Sequence, residues 1–248
     1  MEIKPGSKKL WIVADDFGSH AEIDEGIRIA AENGALTCAD IMVSTGQTQT
    51  SLRKMAEWQV IPQLGIHIEQ STDNDYLDRL RATIRRRTAS TVFRAALCTT
   101  TIRQIETFRE ITGQNPAHVS VHHNLHMKDE NNSWSWFDEC LKELNLPDNT
   151  AIRGQTTYPI RHNRAWYRIV GREPYTPIQF ALVLAQAEAK TSKTLELIVH
   201  PAIRLDEKPD WGGLFPVSFR EKDLSSLLAI IKSNVITAKS YSIEPSQQ

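Results

Sequence analysis

The chain is poor in cysteine, in charge of one sign and in long apolar runs. Its three cysteines, Cys38, Cys98 and Cys140, form no CxxC pair among 248 residues and are odd in number. No disulfide framework follows, and reduced thiols in a cytoplasm are the expectation. Net charge is −1, from 29 basic and 30 acidic residues, which excludes the one-sided field of a nucleic-acid binder. The densest basic run, Arg85-Arg86-Arg87 with Arg81 before it, reads as a solvated helix face rather than a polyanion site. The opening residues carry charge but neither an apolar h-region nor a small-residue cleavage site, and no apolar run nears the ~20 residues of a membrane span. A soluble, cytoplasmic protein is expected. No repeat, low-complexity linker or composition shift divides the chain, and its length suits one substantial core, so a single domain over residues 1–248 is expected.

What is present is an alternation. Short apolar, β-branched runs at 10–14, 40–43, 64–68, 117–122, 151–153, 195–199 and 235–238 read as seven strands. The run at 195–199 is nearly all apolar, as for a strand covered on both faces. Helix-period segments lie between: 22–33 followed by Gly34, 100–112 with Ile102, Ile105, Phe108 and Ile111 on one stripe, 133–144 with Ser133 as N-cap, 177–187, and 222–232. Strand–helix alternation argues for an α/β fold with a parallel sheet or barrel. The polar stretch 69–90 reads as loop plus one exposed helix.

The chemistry collects at the C-terminal ends of the strands, where parallel α/β folds bind ligands. The first strand ends in Asp15 and Asp16, the third carries His67, and the fourth ends in His122 and His123 with His126 beyond. The fifth ends with Arg153 and the sixth in His200, before Pro201. Singly each has a bland reading: the acids could cap a helix, His67 could be a hydrogen-bonded core histidine, and His200 could mark a turn. Jointly they describe a site. Adjacent carboxylates at the end of an apolar run repel one another unless a cation or donor separates them. One carboxylate with two imidazoles suits Zn²⁺, Ni²⁺ or Co²⁺ ahead of the oxygen-seeking Mg²⁺. The second aspartate is then free as general base on water, and His200 as general acid.

The segments ADDFG (14–18), GIH (65–67), HVSVHH (118–123) and IVHP (198–201), in that order, resemble the YdjC/ChbG-type carbohydrate deacetylases. The stretch QIETFREITGQNPAHVSVHH, PDW at 209–211 and Arg220–Leu224 add to the likeness, which spans residues 10 to 228. The resemblance implies a distorted, seven-stranded, TIM-like (β/α) barrel that removes N-acetyl groups from amino sugars such as chitooligosaccharides with a divalent metal. It implies Asp16, His67 and His122 as metal ligands, Asp15 as general base and His200 as proton donor. Arg153 and Arg220 match basic residues near the substrate pocket, and Trp211 could stack on a sugar ring or simply pack. Expected partners are a small carbohydrate substrate, no nucleic acid and no membrane, with a homodimer admitted.

Two positions depart from that pattern. The family reads Asp-x-His-x-His where this chain reads Ser120-Val121-His122-His123-Asn124. A carboxylate at position 120 would orient an imidazole, and its loss predicts metal affinity weaker by about 10-fold or more. The segment between His67 and the second histidine motif is also shorter. These departures support one rival, a non-catalytic carbohydrate-binding or regulatory barrel. Another rival is a metal-dependent barrel enzyme of other chemistry, since barrels host many reactions.

Overall fold

A computed structural model describes residues 8–70, 91–122, 136–147, 150–153, 164–168, 194–205, 217–233 and 241–243. Among the described residues eight strands form one sheet: β1 (Lys8–Phe17), β2 (Cys38–Ile41), β3 (Gln63–Ile68), β4 (His118–Val121), β5 (Ala151–Ile152), β6 (Arg164–Arg168), β7 (Thr194–Val199) and β8 (Tyr241–Ile243). The helices are α1 (Ala21–Glu32), α2 (Thr48–Met55), α3 (Thr91–Thr112), α4 (Trp136–Glu143) and α5 (Val217–Lys232). The order is β5-β4-β3-β2-β1-β7-β6, and every pair is parallel. The long β1 carries β7 along one edge and, on the other, β8 beside Lys8–Leu10 and β2 from Val13 onward.

Side chains alternate across a strand, and here the alternation sorts two chemistries. Ile12, Ala14, Ile41, Ile66, Val119 and Val199 belong to the main core, with Ile23 and Ile27 of α1, Phe108 of α3 and Leu227 of α5. The other face begins with a small apolar cluster of Trp11, Val13, Cys38 and Ala151. Above it lie Asp40, His118, Ser120 and Glu196, and then Asp15, His67 and His200, all buried. Arg153, just past β5, donates from Nε to Glu196 Oε1 on β7 at 2.7 Å. Five strand spacings, about 24 Å in a flat sheet, separate β5 from β7. The sheet is therefore curled, with its polar face inside. Among the described residues β5 and β6 are its two ends.

Six of the seven expected strands are present, and the seventh, 235–238, lies outside the described residues. β6 and β8 were not expected: RAWYR is bounded by charges and YSI is three residues long, too short for alternation to declare itself. Helix 177–187 and Ser133 lie outside the described residues. The expectation of three reduced thiols is overturned: Cys98 on α3 and Cys140 on α4 form a disulfide, leaving Cys38 as the buried free thiol. The 42-residue separation matches no spacing rule; packing of the two helices brings the sulfurs together. Cytoplasmic placement loses the support it drew from reduced thiols. No helix among the described residues is long and apolar enough to cross a membrane.

Candidate active site

The site starts with an irregularity in β1. Ala14 pairs with Ala39 and Phe17 with Ile41, so β1 carries one more residue than β2 over this span. That is a β-bulge, which re-aims a side chain. The extra residue is Asp16, at φ 68°, a region that aspartate tolerates better than most residues. Ala14 and Phe17 remain in the outer core while Asp15 and Asp16 both join the inner polar group. The following turn is held from α1: Gly18, at φ +80°, donates its N–H to Asp24 Oδ1 at 2.8 Å, and Ser51 Oγ donates to Asp24 Oδ2 at 2.5 Å.

Each acid has its own cation. Arg153, wholly buried, donates from both terminal nitrogens to the two oxygens of Asp15, each at 2.7 Å. Arg220 on α5 donates to Asp16 Oδ2 at 2.6 Å. Burial pushes the Asp15 carboxyl up, but Arg153, His67 and His200 outweigh it and hold it well below the usual carboxylate range. Asp16 is likewise held low, with Arg220 and His122 overcoming its burial. Both acids are therefore ionised in ordinary buffers. The two arginines, which the resemblance placed near substrate, here bind the two carboxylates.

Asp16 Oδ1 is buried and accepts no hydrogen bond from the described residues. It lies 3.3 Å from His67 Nε2 and 3.2 Å from His122 Nδ1, and those nitrogens are 3.1 Å apart. Three donors bonded at about 2.0–2.1 Å to one tetrahedral ion sit roughly 3.3 Å from one another, and somewhat closer if octahedral. The spacing and the one-oxygen, two-nitrogen chemistry thus fit a small divalent cation, and these residues form one of two groups of suitable geometry among those described. The other group, Asp15, Asp40 and His67, has a guanidinium between its acids: Arg153 is 2.7 Å from Asp15 and 3.9 Å from Asp40. Burial lowers the His67 imidazole, but Asp15 and Asp16 prevail and raise it.

His200 Nε2 stands 3.6 Å from Asp15 Oδ2. Its segment is pinned on both sides. The His200 N–H donates to Asp223 Oδ2 on α5 at 3.2 Å, and the Ile203 N–H donates to the Glu22 carbonyl on α1 at 3.0 Å. Gly26 on α1 permits the approach, since a Cβ there would lie 2.4 Å from Ala202 Cα.

The structure thus gathers Asp15, Asp16, His67, His122, Arg153, His200 and Arg220 into one cluster, buried except for the half-buried His122. Trp211, His123, Asn124 and His126 lie outside the described residues. Sequence reasoning missed Asp40, His118 and Glu196. Asp40 Oδ2 accepts from Ser120 Oγ at 2.5 Å and lies 2.6 Å from His118 Nδ1, whose Nε2 is 3.2 Å from Glu196 Oε1. The available signal was a lone acid in each of two apolar strands, CADI and TLELIV. The Ser120 hydroxyl thus bonds a carboxylate two strands away, on β2.

The family model described as YdjC-like protein matches residues 9–229. No curated protein matches the chain. Among solved structures, a protein of Enterococcus faecalis V583 named for cellobiose-phosphate cleavage is 14% identical, with TM-score 0.64 over 97% of this chain and 98% of that one. The catalytic domain of a peptidoglycan N-acetylglucosamine deacetylase from Eubacterium rectale is 10% identical, with TM-score 0.54 over 99% and 91%. A CE4 esterase from Streptococcus mutans is 15% identical, with TM-score 0.55 over 96% and 86%. At these identities the likeness is one of fold.

Proposed function

The chain belongs to the YdjC-like family, and from that premise we infer that it is a metal-dependent hydrolase removing an N-acetyl group from an amino sugar or short chitooligosaccharide-like substrate. The observation that carries the reading is the triad of Asp16 Oδ1, His67 Nε2 and His122 Nδ1, 3.1–3.3 Å apart, beside the Asp15–His200 pair. The curled sheet supports a TIM-like barrel spanning the chain.

Asp16, His67 and His122 would hold the ion, with Zn²⁺, Ni²⁺ or Co²⁺ ahead of Mg²⁺. A divalent cation there supplies Lewis acidity towards the acetyl carbonyl and makes water easier to deprotonate. Arg220, by occupying Asp16 Oδ2, leaves Oδ1 for that role. Asp15 accepts the proton of the attacking water. Its two oxygens already receive Arg153, but each carboxylate oxygen has a second lone pair. The strong pairing fixes its position at the expense of basicity. An amine leaves poorly unless protonated, and His200 Nε2 delivers that proton.

The test is acetate release from a panel of N-acetylated amino sugars with each of the four metals added. Asp16→Ala should lose both metal and turnover, while His200→Ala should keep the metal and lose turnover. Full activity in Asp16→Ala would sink the reading.

A further inference from the structure

Ser120 occupies the position where a charged partner for the metal-site imidazole was expected, and the atoms around it account for its single proton. Its Oγ donates to Asp40 Oδ2 at 2.5 Å and lies 2.7 Å from His67 Nδ1. A hydroxyl carries one proton. With that proton on Asp40, the hydrogen bond between Ser120 and His67 must be donated by His67 Nδ1. When His67 is neutral its lone pair is therefore on Nε2, the atom that faces Asp16 and His122.

The sheet is built for this connection. Asp40 on β2 pairs with Gly65 on β3, and Ser120 on β4 pairs with His67 on β3. Asp40 must cross β3 to reach β4, and it does so over Gly65. A Cβ at Gly65 would lie 2.0 Å from Asp40 Oδ1 and 2.9 Å from the His118 Cβ. The acid is also held by His118 Nδ1 at 2.6 Å and by Cys38 Sγ, which donates at 3.4 Å. Asp40 and Ser120 are both wholly buried, so water does not compete for these bonds.

We propose that Asp40 and Ser120 act as a relayed positioning pair for His67, setting its Nδ1–H tautomer and ring orientation so that Nε2 is presented to a divalent cation. The pair stands in for a carboxylate bonded directly to the ring. This rests on the reading of Asp16, His67 and His122 as a metal site. The Ser120 hydroxyl is then a link in the chain rather than a remnant of a lost function.

The experiment measures Zn²⁺ affinity by competition with a chromophoric chelator, without substrate, for the wild type, Ser120→Ala, Ser120→Thr, Asp40→Asn and the Ser120→Ala/Asp40→Asn double variant. Ser120→Ala should bind Zn²⁺ about 10–100-fold more weakly. Ser120→Thr, which keeps the hydroxyl, should recover most of that loss. The double variant should lose no more than Ser120→Ala alone, because the two residues act in series. In the zinc-loaded wild type, ¹⁵N-resolved spectra should show a proton on His67 Nδ1 that is protected from exchange, and Ser120→Ala should lose that protection. Wild-type affinity in Ser120→Ala, or a Ser120→Thr variant no better than Ser120→Ala, overturns the proposal and leaves the metal site standing. These two variants decide the matter even if Asp40→Asn fails to fold. Zinc binding that is absent from the wild type, or unchanged in Asp16→Ala, overturns the metal reading and the proposal with it.

Discussion

On the proposed reading, Gly26→Ala separates proton delivery from metal binding. A Cβ at Gly26 would sit 2.4 Å from Ala202 Cα, 2.6 Å from Ala202 N and 2.7 Å from the Pro201 carbonyl carbon. All three are backbone atoms, so no side chain can swing aside. Restoring 3.0–3.4 Å requires α1 and the 200–203 segment to part by about 0.6–1.0 Å. The segment is tethered to α5 through His200 and Ala202 and to α1 through Ile203, so the strain falls on His200. Overpacking costs about 1–3 kcal/mol, offset by about 1 kcal/mol because alanine favours a helix interior. The net loss, about 0–2 kcal/mol, lowers the melting temperature by roughly 0–8 °C for a chain of this size. A misplacement approaching 1 Å at a proton donor costs up to about 100-fold in rate. The expected variant is therefore folded and binds zinc as the wild type does, with kcat down about 10–100-fold. Circular-dichroism melts, zinc titration and an acetate-release assay check the three quantities. Gly34→Ala is the control: at φ +69° with nothing within 4 Å, it costs backbone strain of about 1 kcal/mol and should leave kcat alone. Wild-type turnover in a folded Gly26→Ala would refute the packing argument and with it the role given to His200.

Two further outcomes concern stability. Burial pushes the His118 imidazole down, but Asp40 and Glu196 outweigh it and raise it to about 9 from an ordinary value of 6.5. A raised value means this contribution is fully present below about pH 6.5 and is lost as pH rises through about 9. The unfolding free energy from urea titrations should fall across that window by about 3 kcal/mol, and an undiminished slope in His118→Gln would discard the assignment. Removing the disulfide by Cys98→Ser/Cys140→Ser, where the bond closes a loop spanning 42 positions, should cost about 4 kcal/mol on the chain-entropy model; an unchanged melt would show that the helix packing suffices without it.

The parts of the site legible in the sequence were those announced by position: acids and imidazoles at the ends of apolar runs, gathered by the rule that parallel sheets bind at their C-terminal edge. Their partners were not legible, because partnership here crosses the sheet. Arg153 meets Asp15 from 138 residues away, and Asp40 meets Ser120 only because β3 lies between their strands and offers a glycine at that level. Glu196 escaped because its strand was read as apolar on both faces, whereas alternate residues face the buried polar interior of a curled sheet. The Cys98–Cys140 bond escaped because it depends on how two helices pack.

The bulge in β1 has a consequence for how much chemistry a strand can hold. A regular strand delivers one inward-facing group every ~6.8 Å, since every second residue points outward. One level of the interior then receives a single side chain from each strand. By inserting Asp16 out of turn, β1 delivers two at adjacent positions, each with its own arginine and both reaching His67, at 3.8 Å from Asp15 and 3.3 Å from Asp16. Deleting one residue between Ala14 and Phe17 would restore a regular ladder with the Phe17 ring still in the outer core, but would leave a single acid facing the histidines. The irregular pairing is thus the condition under which one strand can furnish two acids at the same depth.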